Sequence, residues 1–86
     1  MIMYEIVLSW GYVMTRYQMY RQATGDTSWG QAPIWLNEQY FLFCGETGRT
    51  PNFMESKSGY RMARMQPEEH EPFNEWLIKT HHLKED

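Results

Sequence analysis

Cys44 is the only cysteine in the chain and the first residue whose type suggests covalent chemistry. A cysteine nucleophile needs a base within hydrogen-bond reach, and His70 with Asn74 would supply that base and its orienting group. Cys44, however, directly follows the apolar residues 41–43, which is the setting of a buried strand end. Because buried free cysteines are usually inert, we expect Cys44 to be a core residue and the protein not to be an enzyme.

Histidines and glutamates in the C-terminal region are candidate metal ligands. On a helix, Glu71 and Glu75 stand one turn apart, and His82 follows on about the same face. No pair of histidines has the one-turn spacing of a helical metal site, and a site needs at least three converging ligands. We therefore expect no metal and no other cofactor, and a solvated acidic helix face with His81 and His82 at its C-terminal end.

The segment Gly45-Glu-Thr-Gly48 has the two-glycine spacing of a phosphate-binding turn. Phosphate sites add a lysine or a helix N-terminus to the glycines. Here Glu46 has the wrong charge for a phosphate, and only Arg49 is favourable. We interpret the segment as a plain β-turn.

Arginines alternate with tyrosines at two places, Arg16-Tyr17 with Tyr20-Arg21 and Tyr60-Arg61 with Arg64. This mixture suits the stacking of single-stranded RNA, and it suits a protein interface equally well. On a helix the first group would also form local cation–π pairs, which is a purely structural role. Structural pairing and protein binding are favoured over RNA because the net charge of the chain is -3.

The acidic residues are concentrated in the C-terminal quarter of the chain. Residues 1–64 contain six basic and five acidic side chains, whereas residues 65–86 contain two lysines and six acids. Duplex nucleic acid would be repelled by this segment, since affinity for phosphates comes from lysine and arginine. We expect no direct binding to duplex nucleic acid.

The chain has 86 residues, enough for one domain around a single core. No apolar run reaches the length of about 18 residues that spans a membrane, and the N-terminal residues lack the basic region of a signal peptide. A single cysteine permits no internal disulfide, the usual support of small secreted domains. These features predict a cytoplasmic protein that forms a single domain over residues 1–86 and associates with no membrane.

The first half of the chain contains a strand, a helix and a loop by its patterning. Residues 2–8 predict a central strand, since apolar types alternate on both faces. Residues 12–23 fit a helix better than a strand because Gly25 follows them as a C-terminal cap. Residues 24–33 have the composition of a loop, in which Trp29 must either pack against an apolar surface or remain exposed.

Residues 33–44 leave two interpretations open. One is a helix that begins with Pro33, and the other is a turn followed by a buried strand over residues 39–44. The aromatic residues Tyr40, Phe41 and Phe43 favour the strand.

The C-terminal third predicts a hairpin and then a helix. Residues 52–55 and 60–65 have the pattern of paired strands. Residues 67–83 predict a helix because acids occupy its first turn and basic residues its last. Pro72 is tolerated only in a first turn, so the regular helix is expected to begin nearer His70. The tail at 83–86 is expected to fray.

These elements predict an α+β fold. We expect a small antiparallel sheet of three or four strands with the C-terminal amphipathic helix packed on one face. The helix face that packs against the core would consist of Phe73, Trp76 and Leu77.

Aromatic residues are abundant, with 4 Trp, 6 Tyr and 4 Phe. One small core does not bury all of these together with seven methionines, and exposed aromatic patches mark interaction surfaces. We therefore predict a non-enzymatic protein-binding module. Its candidate binding residues are Tyr17, Tyr20, Trp29, Trp35, Arg61, Arg64, Glu68, Glu69, Glu71 and Glu75.

The predicted partner is another protein with a basic surface, to which the acidic C-terminal segment would bind by charge complementarity. One concrete form is a small inhibitor or adaptor, of the size that phages and mobile elements encode, that acts on a nucleic-acid-handling host protein. A homodimer through the aromatic surface agrees equally well with the residues. The alternative is a small-molecule or nucleotide-binding module in which Trp29, Trp35 and Tyr40 stack on a ring and Arg49 or Arg61 takes a negative group.

Overall fold

A computed structural model describes the backbone of residues 4–6, 10–55 and 61–84, and the side chains of residues 15–55 and 63–84. The elements in chain order are β1 (Tyr4–Ile6), α1 (Trp10–Thr24), α2 (Ala32–Thr47), β2 (Phe53–Glu55), β3 (Arg61–Ala63) and α3 (Pro67–His81). The helices have 15, 16 and 15 residues, and each strand has three. The described part of the chain is therefore mostly helical.

The predicted α+β fold with a small antiparallel sheet is wrong. The three strands are short segments in the order β1-β3-β2, and β1 runs parallel to β3. The strand predicted at residues 2–8 is described only at Tyr4–Ile6, where it lies at the edge of this order and not at its centre. Helix content is high partly because the segment 33–44, whose composition suits a strand, buries its apolar residues at helical spacing.

The segment 33–44 is helical, so the strand interpretation was wrong. Within α2, Leu36, Tyr40 and Phe43 are buried, and they recur every three or four residues along one face. The aromatic composition favoured a strand, but the burial of one helical stripe outweighs that preference. Pro33 lies in the first turn of α2, where a missing N–H costs no hydrogen bond.

The predicted β-turn at Gly45-Glu-Thr-Gly48 is also wrong, because α2 continues to Thr47. Gly48 ends the helix in the left-handed conformation, with a φ of 73°. The backbone N–H groups of Gly48 and Arg49 both donate to the carbonyl oxygen of Cys44. A glycine is favoured at this cap because the positive φ carries no side-chain penalty.

Two predicted helices are confirmed. α1 contains the segment 12–23, and Gly25 follows it with a φ of 74°. α3 begins at Pro67, earlier than expected, so Pro72 lies inside the helix. At the start of α3, the Gln66 side chain accepts from the backbone of Glu69 while the Glu69 carboxylate accepts from the Gln66 N–H at 2.8 Å. This capping box fixes the first turn of the helix.

The predicted hairpin is confirmed as an antiparallel pair of β2 and β3, in which Phe53 lies opposite Ala63. The residues 56–60 that join the two strands lie outside the described residues. The N–H of Ala63 donates to Asn37 Oδ1 at 3.2 Å, which connects β3 to α2. α2 also packs against β1, α1 and α3 and is the central element of the described chain.

The core joins residues from α1, α2, α3 and the β3 region. Its buried members are Met19, Leu36, Tyr40, Phe43, Cys44, Ala63, Met65, Phe73 and Leu77. Phe73 and Leu77 enter it from α3 as predicted, whereas Trp76 is only half-buried and donates from Nε1 to Glu46 Oε2 at 2.6 Å. The predictions of a single domain and of a frayed tail stay predictions.

Removal of one buried hydroxyl tests how the helices are held together. The Tyr40 hydroxyl accepts from the backbone N–H of Asn52 and donates to the Glu69 carboxylate. We expect Tyr40→Phe to lower the free energy of unfolding by about 1 kcal/mol, since it removes the hydrogen bonds that the buried hydroxyl makes to the partly buried Asn52 N–H and Glu69 carboxylate. Urea unfolding followed by circular dichroism measures this.

The matched control is Tyr17→Phe, which removes a hydroxyl that bonds to the carbonyl oxygen of Thr27 at the surface. We expect that variant to lose about 0.5 kcal/mol or less. Equal losses in the two variants would show that the Tyr40 hydroxyl has no special structural role.

Candidate interaction surface

The outer face of α2 exposes two adjacent large apolar side chains. Phe41 is 56% exposed and Leu42 is 52% exposed. They face outward because the inner stripe of the helix is already occupied by core residues. Together with Asn37 and Glu38 they line a cavity of about 280 Å³, which we call the α2 groove. The groove presents an apolar wall next to one carboxylate.

The α2 groove stands on fixed residues. Asn37 is fully buried, with its Nδ2 donating to the Pro33 carbonyl oxygen at 2.9 Å and its Oδ1 accepting from Ala63. The Phe41 ring lies 6.5 Å from the ring of Phe53, measured between centroids. A ligand would therefore meet a surface whose base is already ordered.

Four of the predicted binding residues form one row of aromatic rings between the 25–31 loop and α2. Tyr17 contacts Trp29 edge to face with centroids 4.8 Å apart, and Tyr17 lies 6.4 Å from Tyr20. Tyr20 in turn contacts Trp35 at 5.5 Å. Trp29 at the end of the row is 40% exposed, whereas Tyr20 is buried. The row is thus largely a packing element with one exposed end.

A second cleft lies beside this row. Its lining residues are Tyr20, Thr24, Asp26, Gln31, Ile34, Trp35 and Glu38, and we call it the acidic cleft. Its volume is about 370 Å³. Glu38 lines both the acidic cleft and the α2 groove, so the two cavities are neighbours.

Asp26 is held in place by two hydrogen bonds. Its Oδ2 accepts from the Tyr20 hydroxyl at 2.6 Å, and its Oδ1 accepts from the Ser28 N–H at 2.7 Å. These bonds, first of all the one from Tyr20, lower the pKa of Asp26 below its ordinary value of 3.8. Asp26 is therefore a carboxylate at neutral pH.

The predicted acidic residues of α3 divide into two kinds. Glu68, Glu71 and Glu75 are exposed on the helix. Glu69 is half-buried and belongs to the capping box and the Tyr40 contact instead. Of the two predicted arginines, Arg64 is exposed, and the side chain of Arg61 lies outside the described residues.

Cys44 is fully buried, and burial raises the pKa of its thiol. Asn74, which would have oriented a catalytic base, accepts through Oδ1 from the guanidinium of Arg16. The structure therefore places Cys44 in the core and Asn74 in a contact between α1 and α3.

Arg16 is a buried residue that the sequence did not reveal. Its side chain is 0% exposed, donates to the His70 carbonyl oxygen at 3.1 Å and lies 5.4 Å from the Phe73 ring centroid. The neighbouring cation–π pair of Arg21 with Tyr17 forms as expected, at 6.0 Å. These arginines serve packing between and along the helices.

His81 has packing partners on α2. His81 contacts the ring of Trp35 at 5.2 Å, and its Nε2 bonds to Gln39 Oε1 at 2.8 Å. Burial, and then the charge of His82, lower the pKa of His81 below 6.5. Among the described residues, no three histidine, cysteine, aspartate or glutamate side chains come together as a metal site would require.

The rings of the alternative nucleotide site lie in different environments. Tyr40 is in the core, where its ring contacts those of Phe53 and Phe73. Trp29 contacts Tyr17, and Arg49 lies over the ring of Phe43 at 5.2 Å. The cleft next to Trp35 is lined by carboxylates, which disfavour a phosphate.

No protein-family model, curated protein or solved structure matches this chain. In the described part of the chain, no helix has both the length and the apolar character needed to cross a membrane. The geometry of the α2 groove and the acidic cleft is therefore the basis for a functional proposal.

The lowered pKa of His81 predicts a loss of stability in acid. Unfolding restores the ordinary pKa of 6.5, so the unfolded chain binds a proton more readily. Stability is complete above about pH 7 and falls as the pH drops through 6.5. We expect His81→Gln to lose less free energy of unfolding than the wild type between about pH 7 and pH 5, because glutamine does not bind a proton in this range.

His82→Gln is the matched control, because His82 is exposed at the end of α3. Because the charge of His82 is the smaller of the two causes that lower the pKa of His81, this variant should keep the larger part of the pH dependence, which comes from the burial of His81. Asp26 titrates below 3.8 and so does not interfere in this range. A His81→Gln variant that follows the wild-type curve in chemical denaturation would contradict this assignment.

Proposed function

We propose that this protein is a non-enzymatic protein-binding module that acts in the cytoplasm and docks through the α2 groove. The observation that supports this most directly is the exposure of Phe41 and Leu42, each more than half accessible, beside one another on a helix with a packed base. Exposed apolar pairs in a groove are a common feature of binding sites, since large side chains there become the anchors of an interface.

The proposed partner has a basic surface. Glu38 lies within the groove, and Glu68, Glu71 and Glu75 are exposed on α3. The chain has a net charge of -3, so long-range attraction favours a positively charged partner. A nucleic-acid-handling protein is one class with such a surface, and an inhibitor or adaptor of that class is the concrete form that we propose.

Two copies of this chain are a less favourable pair. In a symmetric contact through the α2 groove, the two Glu38 carboxylates would approach the same interface. Each copy also has a net charge of -3, which opposes association. We therefore expect a monomer in sedimentation equilibrium at micromolar concentration.

Substitution of Phe41 tests the proposed docking face. We expect a tagged wild-type protein to recover one stoichiometric partner from the cytoplasm of its native host, and Phe41→Ser to recover at least tenfold less. The helical circular dichroism of the variant should remain unchanged because Phe41 is exposed. Quantitative mass spectrometry of the recovered proteins is the measurement.

Met54→Ser is the matched control, since Met54 is 38% exposed and is not among the residues that line the groove. It should recover the partner as the wild type does. Equal recovery of the partner by Phe41→Ser and the wild type would contradict the proposal, and so would recovery of the tagged protein alone. A dimer that Phe41→Ser dissociates would assign the groove to a second copy of the chain.

A further inference from the structure

We propose that the acidic cleft binds the guanidinium group of an arginine on the partner protein, next to the apolar residues that occupy the α2 groove. This inference rests on the proposed protein-binding function and specifies the chemistry of the partner. Three features of the cleft support this proposal. Its negative charge and its aromatic surface suit a cationic side chain, and its continuity with the α2 groove lets one partner occupy both cavities.

The first feature is the charge of the lining. Asp26 and Glu38 are the two ionisable acids of the cleft, and no lysine or arginine is among the described residues that line it. Asp26 accepts one bond on each oxygen, from Tyr20 and Ser28. A carboxylate has about four acceptor sites, so each oxygen retains capacity for a further donor. An anionic ligand would be repelled by the same groups.

The second feature is the aromatic wall. Trp35 and Tyr20 both line the cleft, with ring centroids 5.5 Å apart in an edge-to-face arrangement. An indole ring is the best partner for a cation, and a planar guanidinium also stacks on it. His81 packs beside Trp35, and its lowered pKa keeps it neutral at pH 7, so it adds no competing charge.

The third feature is the shared wall formed by Glu38. Ile34 in the cleft and Leu42 in the groove lie one helical turn on either side of Glu38. A partner helix with an arginine three or four residues from a leucine or phenylalanine would place one side chain in each cavity. Arginine fits better than lysine because its fork donates to two carboxylates or to both oxygens of one.

Blocked arginine, acetylated and amidated, is the probe for the cleft alone. We expect its titration to shift the indole signal of Trp35 and the backbone signals of Asp26 in nitrogen–proton correlation spectra, with a dissociation constant on the order of millimolar. Trp35→Phe identifies the indole signal. Blocked glutamine, which has no charge, should cause no saturable shift.

Asp26→Asn is expected to weaken the binding of blocked arginine at least fivefold. Because Asp26 also supports the loop through Ser28, Glu38→Gln provides a second variant at an exposed position. Glu75→Gln removes the same charge from the exposed face of α3 and should bind as the wild type does. No saturable shift, equal shifts with blocked glutamine, or equal affinity in all three variants would overturn the proposal.

A pair of helical peptides separates the cleft from the groove. The first has arginine four residues before leucine, and the second has glutamine in place of arginine. We expect the first to bind at least fivefold more tightly than the second and tenfold more tightly than blocked arginine. Phe41→Ser should remove the gain over blocked arginine and leave the binding of blocked arginine within twofold.

The two proposals fail in different ways. Saturable binding of blocked arginine without any gain from the peptide would assign the cleft to a free organic cation and overturn its role in partner recognition. Peptide binding that depends on Phe41 but not on the arginine would leave the α2 groove as the docking face and remove the acidic cleft from it.

Discussion

The hydroxyl group of Tyr40 lies in the core, where a phenol stays only if the protein supplies its hydrogen bonds. Here the Asn52 backbone donates to it, and the Glu69 carboxylate accepts from it. The same carboxylate caps α3 through Gln66, so one side chain of α2 holds both the start of α3 and the segment that precedes β2. Burial raises the pKa of Tyr40 and keeps the phenol protonated. The inner face of α2 is committed to this junction, and its outer face is left for Phe41 and Leu42.

The parts of the fold that the sequence predicted are those controlled by local signals. α3 was predictable because Pro67, acids and basic residues mark its ends, and α1 because Gly25 caps it. α2 was not, since a run of aromatic residues suits a strand or a buried helix equally well. Long-range burial of Leu36, Tyr40 and Phe43 decides between the two, and it depends on partners elsewhere in the chain.

The candidate site was predictable in composition but not in arrangement. Aromatic surplus indicated Tyr17, Tyr20, Trp29 and Trp35, which the structure brings into one row. The sequence did not indicate the α2 groove, because Phe41 and Leu42 belong to an apolar run that suggested full burial. Glu69 is the opposite case. It was predicted to be an exposed charge of the binding surface, whereas its carboxylate caps the start of α3. The sequence signature of a capping box begins with serine, threonine, aspartate or asparagine, so Gln66 three residues before Glu69 supplies only its second half.

Arg16 gives the docking of α1 on α3 a fixed register. A buried guanidinium is stable only where acceptors meet it, and here they come from His70 and Asn74, more than fifty residues along the chain. Sliding one helix past the other by a turn, about 5.4 Å, would move the charge away from both acceptors. Apolar contacts alone tolerate such slippage because methyl groups fit several neighbours. The buried charge thus fixes the register of α1 against α3. It disfavours near-native packings of the small, aromatic-rich core that would otherwise compete with the correct packing.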